Sequence, residues 1–153
     1  MAELLHPFRL VTLENEANVM PLVAAELNGF PVQLVVDTGA SHTCLDRSTV
    51  RKCLHSTPDA SEVQAAEDSS GGPDTVMGLG GHRLKHAFYH VEVLKFGDLE
   101  IRDYRVVAVR LANINKMLRW IGMEPIDGLL GCDVLSRYRV QMDFENMMMR
   151  FCW

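Results

Sequence analysis

The dominant hydrophobic pattern in this chain is alternation. Phe30, Val32, Leu34 and Val36 recur at every second position. This predicts a strand over 30–36 with a buried apolar face, leaving Asp37 on the other face as the regular run ends. Residues 20–27 read as a strand as well, and Asn28-Gly29 between the two is a two-residue hairpin signal. Behind Asp37 come Thr38-Gly39-Ala40-Ser41, which place a hydroxyl and a turn-forming glycine directly after a carboxylate. A carboxylate on a short turn behind a buried strand is costly to desolvate unless it has partners.

The pattern continues in short pieces. Thr43-Cys44-Leu45 is apolar again, and Asp46 or Ser48 can cap a short helix over 50–54. Residues 55–74 change to Ser, Asp, Glu, Ala, Gly and Pro, the composition of a mobile connection. After Val76-Met77-Gly78-Leu79-Gly80-Gly81 come an extended run over 83–94, a turn at Phe96-Gly97-Asp98 and a strand over 99–109. Helical spacing surfaces at Ile114, Met117, Leu118 and Ile121, with Asn113 as candidate cap and Gly122 as stop. Ile126-Asp127 leads into Gly128-Leu129-Leu130-Gly131, a very short apolar strand between glycines, and 134–138 reads as a helical turn or two. Val140, Met142 and Phe144, a turn at Glu145-Asn146, then Met147, Met149, Phe151 and Trp153 form a closing hairpin. Many short strands with two or three short helices make this an all-β domain.

Composition narrows the classes. At 153 residues the chain fits one domain spanning 1–153, because a boundary at 55–74 would leave a first part too small to bury its own strands. A formal net charge of -5 with both signs interspersed offers no basic stripe, which argues against nucleic acid as a partner. No apolar stretch approaches a membrane span and none follows a basic start, so cytoplasmic residence and no membrane partner are expected. Cys44, Cys53, Cys132 and Cys152 form no CxxC pair, and reduced structural thiols are expected.

The order of motifs, a hairpin leading to Asp37-Thr38-Gly39-Ala40-Ser41, a glycine-rich stretch in mid-chain and Leu129-Leu130-Gly131 about ninety residues after the carboxylate, resembles the retropepsin-like aspartic proteases, particularly the single-domain bacterial members. The resemblance covers about 20–151 and implies a pseudo-symmetric β barrel in which Leu129-Leu130-Gly131 packs beside the Asp37 loop. It implies Asp37 as the catalytic carboxylate, Thr38 reaching across a dimer axis, and Gly39 bringing backbone to substrate. It also implies a flap over bound peptide, for which Met77, Gly78, Leu79, Gly80 and Gly81 fit best and 69–73 is the alternative tip. Such chemistry needs two carboxyl groups sharing a proton. The chain holds one complete motif: Asp127-Gly128 lacks the hydroxyl residue, so a second Asp37 from a homodimer partner is expected. Viral members brace this loop with an acid after the motif and an arginine after the later glycine. Here Ser41 and Cys132 stand at those positions, so a brace of another kind is required.

Other readings of the same residues are weighed against this one. Asp37 could be a turn aspartate bonded to its own loop, and the domain could be a catalytically weak peptide-binding or dimerisation module. His82, His86 and His90 are spaced by four, which gathers ligands on a helix but spreads them along a strand, so no metal site is expected. His42 reads as a turn residue. The glycine cluster lacks the lysine and helix start of a phosphate loop. The resemblance therefore implies an aspartic endopeptidase acting on peptide or protein substrate without cofactor or metal. Asp127, Leu129, Leu130 and Gly131 would line its cleft, with Asp127 biasing it toward basic side chains.

Overall fold

Asn28 and Gly29 both take positive φ, 48° and 84°, the backbone that a two-residue hairpin turn needs to keep the twist of its strands. They join β2 (Asn18–Leu27) to β3 (Phe30–Val36), paired antiparallel from Leu22 opposite Val35 to Leu27 opposite Phe30. The asparagine also anchors the tip: its amide donates to Cys53 O (3.2 Å) and accepts from Val93 N–H (3.0 Å). The computed structural model describes residues 1–13, 18–54 and 87–153.

The remaining elements in chain order are β1 (Glu3–Leu13), β4 (Cys44–Asp46), α1 (Arg47–Cys53), β5 (Ala87–Phe96), β6 (Leu99–Val109), α2 (Ala112–Trp120), β7 (Gly128–Leu130), α3 (Cys132–Arg137), β8 (Gln141–Asp143) and β9 (Met148–Cys152). β1 precedes β2. Strands β2, β3, β7, β4, β6 and β5 pair in that order, and β5 pairs back to β2, which closes a six-stranded barrel. The mostly-β architecture expected from the alternation is the one observed. Val23, Leu27, Leu34, Leu45, Val91, Leu94, Phe96, Ile101 and Leu130 fill the main core, continued by Met149 and Phe151 of β9. Phe96 and Phe151 stack with ring centroids 5.1 Å apart. Each such side chain contributes about 1.5–3 kcal/mol on burial.

Three differences from the sequence reading have physical causes. First, the alternation predicts no strand over 3–13, yet these residues form one of the longest strands. Pro7 and the adjacent Leu4-Leu5 disguise it, but Pro7 lies where β1 stops pairing with β9 and starts pairing with β2, a place where a missing N–H is tolerated. Second, α1 starts three residues before the expected 50–54. Asp46 rather than Ser48 is its cap, accepting from Ser48 N–H at 3.1 Å. Third, Asn113 does not cap α2, and Ile114 and Met117 face outward beside Trp120, which is 81 % exposed. Asn115 takes the inward position because its amide pairs reciprocally with the backbone of Ile126, at 3.0 and 2.8 Å. Leu118 beside it is fully buried against a second apolar layer that includes Leu22, Val35 and Ile126. The helix thus covers the outer face of the barrel behind β3, which explains why Val35 is buried as well as its alternating neighbours.

Candidate active site

The carboxylate of interest sits where β3 ends. Asp37 N–H donates to Leu130 O at 3.0 Å, extending the parallel β3–β7 pairing that runs from Leu34 opposite Gly128 to Val36 opposite Leu130. The chain then turns. Gly39 N–H donates to Asp37 Oδ1 at 2.8 Å, and Ala40 N–H to Asp37 O at 3.2 Å. A Cβ on Gly39 would lie 3.1 Å from Asp37 Oδ1, so the glycine lets backbone approach the carboxylate closely. Asp37 is half-buried, Thr38, Gly39 and Ser41 are exposed, and Ala40 is buried.

The loop is laced to the turn after β7. Cys132 N–H donates to Ala40 O (2.8 Å), Asp133 N–H to Ser41 O (3.2 Å), and the Cys132 thiol to Thr38 O (3.1 Å). Leu130 is fully buried in the main core, and Leu129 is half-buried against the smaller apolar layers. Glycine is required on both sides of these leucines. A Cβ on Gly128 would lie 2.2 Å from Cys44 O, and one on Gly131 would lie 2.5 Å from His42 C. Leu129-Leu130-Gly131 therefore packs beside the Asp37 loop.

Residues that the sequence reading did not single out complete the arrangement. Asp133 accepts from Thr43 N–H with both oxygens (3.0 Å each), from Thr43 Oγ1 (2.9 Å), from Val134 N–H (2.8 Å) and from the Tyr104 hydroxyl. Thr43 is buried, and its hydroxyl oxygen in turn accepts from Gly131 N–H at 3.1 Å. Burial pushes the Tyr104 hydroxyl well above its ordinary range, and its hydrogen bond to Asp133 pushes it further, so it remains a donor. Burial likewise raises the Cys44 thiol, helped by the charges of Asp133 and Asp37, to about 11. The only advance signal for this cluster was negative: Ser41 and Cys132 stand where an ion pair would otherwise brace the loop.

Other expected residues have other surroundings. Asp127 has both carboxylate oxygens engaged within the chain, Oδ2 by Gln33 N–H (2.8 Å) and Oδ1 by Thr49 Oγ1 (3.0 Å). His42 is half-buried, 3.0 Å from Ser41 Oγ through Nδ1, and meets Phe88 edge-on. His90 lies 3.3 Å from Asp103 on the surface. Met77, Gly78, Leu79, Gly80, Gly81, the alternative tip at 69–73, the connection 55–74, and His82 and His86 lie outside the described residues. Among the described residues no three His, Cys, Asp or Glu side chains gather to hold a metal, and no helix is long and apolar enough to cross a membrane.

Comparison with solved structures gives the same fold. A retropepsin-like aspartic protease from Rickettsia conorii superposes with a TM-score of 0.56 at 16% identity, over 98% of this chain and 90% of that one. The retroviral protease-like domain of Ddi1 from Leishmania major gives 0.52 at 17% identity, over 82% of each chain. EIAV protease, solved with a bound inhibitor, gives 0.53 at 17% identity, over 88% of this chain and 100% of that one. No curated protein matches in sequence. The aspartyl protease family model matches residues 23–134, from the middle of β2 through the Asp37 loop to the start of α3. With Asp37 at the end of β3 and Leu129-Leu130-Gly131 packed beside it, the chain belongs to the aspartyl protease family and has the retropepsin-like fold.

Proposed function

We propose that the protein is an aspartic endopeptidase that works as a homodimer, with one Asp37 from each chain. The observation that carries this reading is the Asp37 turn itself. A half-buried carboxylate accepts from the Gly39 N–H of its own loop, on a turn whose Thr38 and Gly39 are exposed, and the chain contains a single Asp-Thr-Gly motif.

Peptide hydrolysis needs a base to take a proton from water and an acid to protonate the carbonyl oxygen at the same time. Two carboxyl groups brought close together hold one proton between them, because both cannot ionise side by side, and so supply the base and the acid together. In the dimer the ionised Asp37 draws a proton from the water, the oxygen attacks the peptide carbon, and the protonated Asp37 gives its proton to the carbonyl oxygen. Collapse of the tetrahedral intermediate passes a proton to the amine and breaks the C–N bond. In the dimer the exposed Thr38 reaches the partner's loop through its hydroxyl, and Gly39 leaves backbone groups open to substrate. Substrate lies extended against the loop in this reading. No cofactor or metal takes part.

The test is cleavage of fluorescein-labelled casein by the purified chain from about pH 4 to about pH 8. Cleavage should be strongest below neutrality, where the shared proton is retained, and should vanish in Asp37→Asn. No cleavage by the wild-type dimer anywhere in that range, or undiminished cleavage by Asp37→Asn, overturns the reading.

A further inference from the structure

We infer that Asp133 is the positioning residue of the catalytic loop, acting with Thr43 and Tyr104 in place of an ion pair; the inference rests on the protease reading of Asp37. The contacts on this carboxylate all come from donors: Thr43 N–H, Thr43 Oγ1, Val134 N–H and the Tyr104 hydroxyl. It therefore serves as an acceptor alone, which is what a carboxylate offers and a hydroxyl cannot. These donors come from three separate parts of the fold. Thr43 closes the loop that begins at Asp37, Tyr104 belongs to the middle of β6, and Val134 is in α3. One side chain thus ties the end of the loop to the barrel wall.

The tie reaches the loop through a continuous set of bonds. Thr43 Oγ1 both donates to Asp133 and accepts from Gly131 N–H. From Gly131 onward, Cys132 and Asp133 hold the carbonyls of Thr38, Ala40 and Ser41. If Asp133 withdraws, Thr43 loses partners for both its amide and its hydroxyl. The turn that holds the three carbonyls then loses its anchor on β6. A displacement of about 1 Å in a reacting group is enough for a roughly 100-fold loss of rate.

The same geometry says which substitution is tolerated. Asparagine keeps one oxygen for Thr43 N–H, Thr43 Oγ1 and Val134 N–H, and turns its NH2 toward the Tyr104 oxygen, which can accept. Alanine leaves two backbone amides and two hydroxyls without their acceptor. A role carried by the negative charge would make the asparagine variant as damaging as alanine; a role carried by geometry separates them.

The experiment measures kcat and KM on fluorescein-labelled casein for wild type, Asp133→Ala, Asp133→Asn and Tyr104→Phe. Alongside, hydrogen exchange is followed by mass spectrometry in the peptide covering 37–46. The expected result is a kcat lowered roughly 100-fold in Asp133→Ala and about tenfold in Tyr104→Phe, with KM changed less than about threefold in both. Asp133→Asn should stay within about fivefold of wild type. The 37–46 peptide should exchange faster in Asp133→Ala and Tyr104→Phe than in wild type or Asp133→Asn. Wild-type kcat in folded Asp133→Ala, equal damage by alanine and asparagine, or unchanged loop exchange overturns the inference. If Asp133→Ala fails to fold, Tyr104→Phe and Asp133→Asn decide it on the same readouts. If wild type cleaves nothing, the protease reading fails, while the exchange comparison still settles whether Asp133 positions the loop.

Discussion

Replacing Gly131 with alanine adds one methyl group at the point where the turn after β7 meets the Asp37 loop. Its backbone is ordinary and extended, with φ -93° and ψ 177°, so alanine meets no conformational penalty there. The cost is steric. The new Cβ would lie 2.5 Å from His42 C, 2.6 Å from His42 O and 2.8 Å from Thr43 N, whereas ordinary contact begins near 3.4 Å. These are backbone atoms, so no side chain can swing aside, and the loop must move by about 1 Å. Overpacking of this kind costs about 1–3 kcal/mol. The hydrogen bond from Gly131 N–H to Thr43 Oγ1 is stretched as well, which adds about 1 kcal/mol. A total of about 2–4 kcal/mol corresponds to a Tm lowered by roughly 4–16 °C for a chain of this size. Thermal unfolding of the two proteins at equal concentration measures it, since concentration alone would move the Tm of the proposed dimer. Activity should fall more steeply than stability, roughly 100-fold, because the displaced atoms belong to the loop that carries Asp37. A Gly131→Ala protein within about 0.5 kcal/mol of wild type would refute the packing described here.

Two further outcomes follow from buried groups. The Cys44 thiol, raised from its usual 9.0 to about 11, should react with iodoacetamide near pH 8 roughly 100-fold more slowly than an ordinary thiol. Labelling as fast as Cys152 in peptide-level mass spectrometry would contradict this. Burial alone would raise the Asp46 carboxyl, but bonds from the Ser48 hydroxyl and from the N–H groups of Leu111, Ser48 and Arg47 outweigh it and hold it below the usual 3.8. A depressed carboxyl stabilises the fold above its unfolded value and loses that contribution as pH falls through its folded value. Asp46→Ala should therefore cost about 1–3 kcal/mol near neutrality, and the gap to wild type should close in acid. Urea titrations across pH in which the gap stays constant down to about pH 2 would contradict that assignment.

Much of the fold was legible because the strands obey a simple period. Val32, Leu34 and Val36 are buried as their spacing requires, and Asn28-Gly29 makes the turn its chemistry favours. What escaped was set by tertiary partners. In β1, Phe8 and Val11 are buried while Leu5 and Leu10 are exposed, and the strand changes partner at Pro7, so no single period describes it. In α2 the apolar spacing was half right: Leu118 is buried and Ile121 packs against the same layer, whereas Ile114 and Met117 are exposed because Asn115 takes the inward position to pair with the backbone of Ile126. At the site, Asp37 and Leu129-Leu130-Gly131 were visible as a motif. Asp133, Thr43 and Tyr104 come from three distant stretches of chain and meet only on folding, which is why the sequence disclosed the missing ion pair and not its substitute.

The central claim is that this chain carries half of an active site, and mixing tests it most directly. Wild-type and Asp37→Asn chains are unfolded and refolded together at fixed total concentration, and cleavage of labelled casein is measured as the inactive fraction rises. If each site needs one Asp37 from each of two chains, mixed dimers are dead and activity falls as the square of the wild-type fraction. Activity that falls only in proportion to the wild-type fraction would mean that each chain acts alone, and would contradict the account.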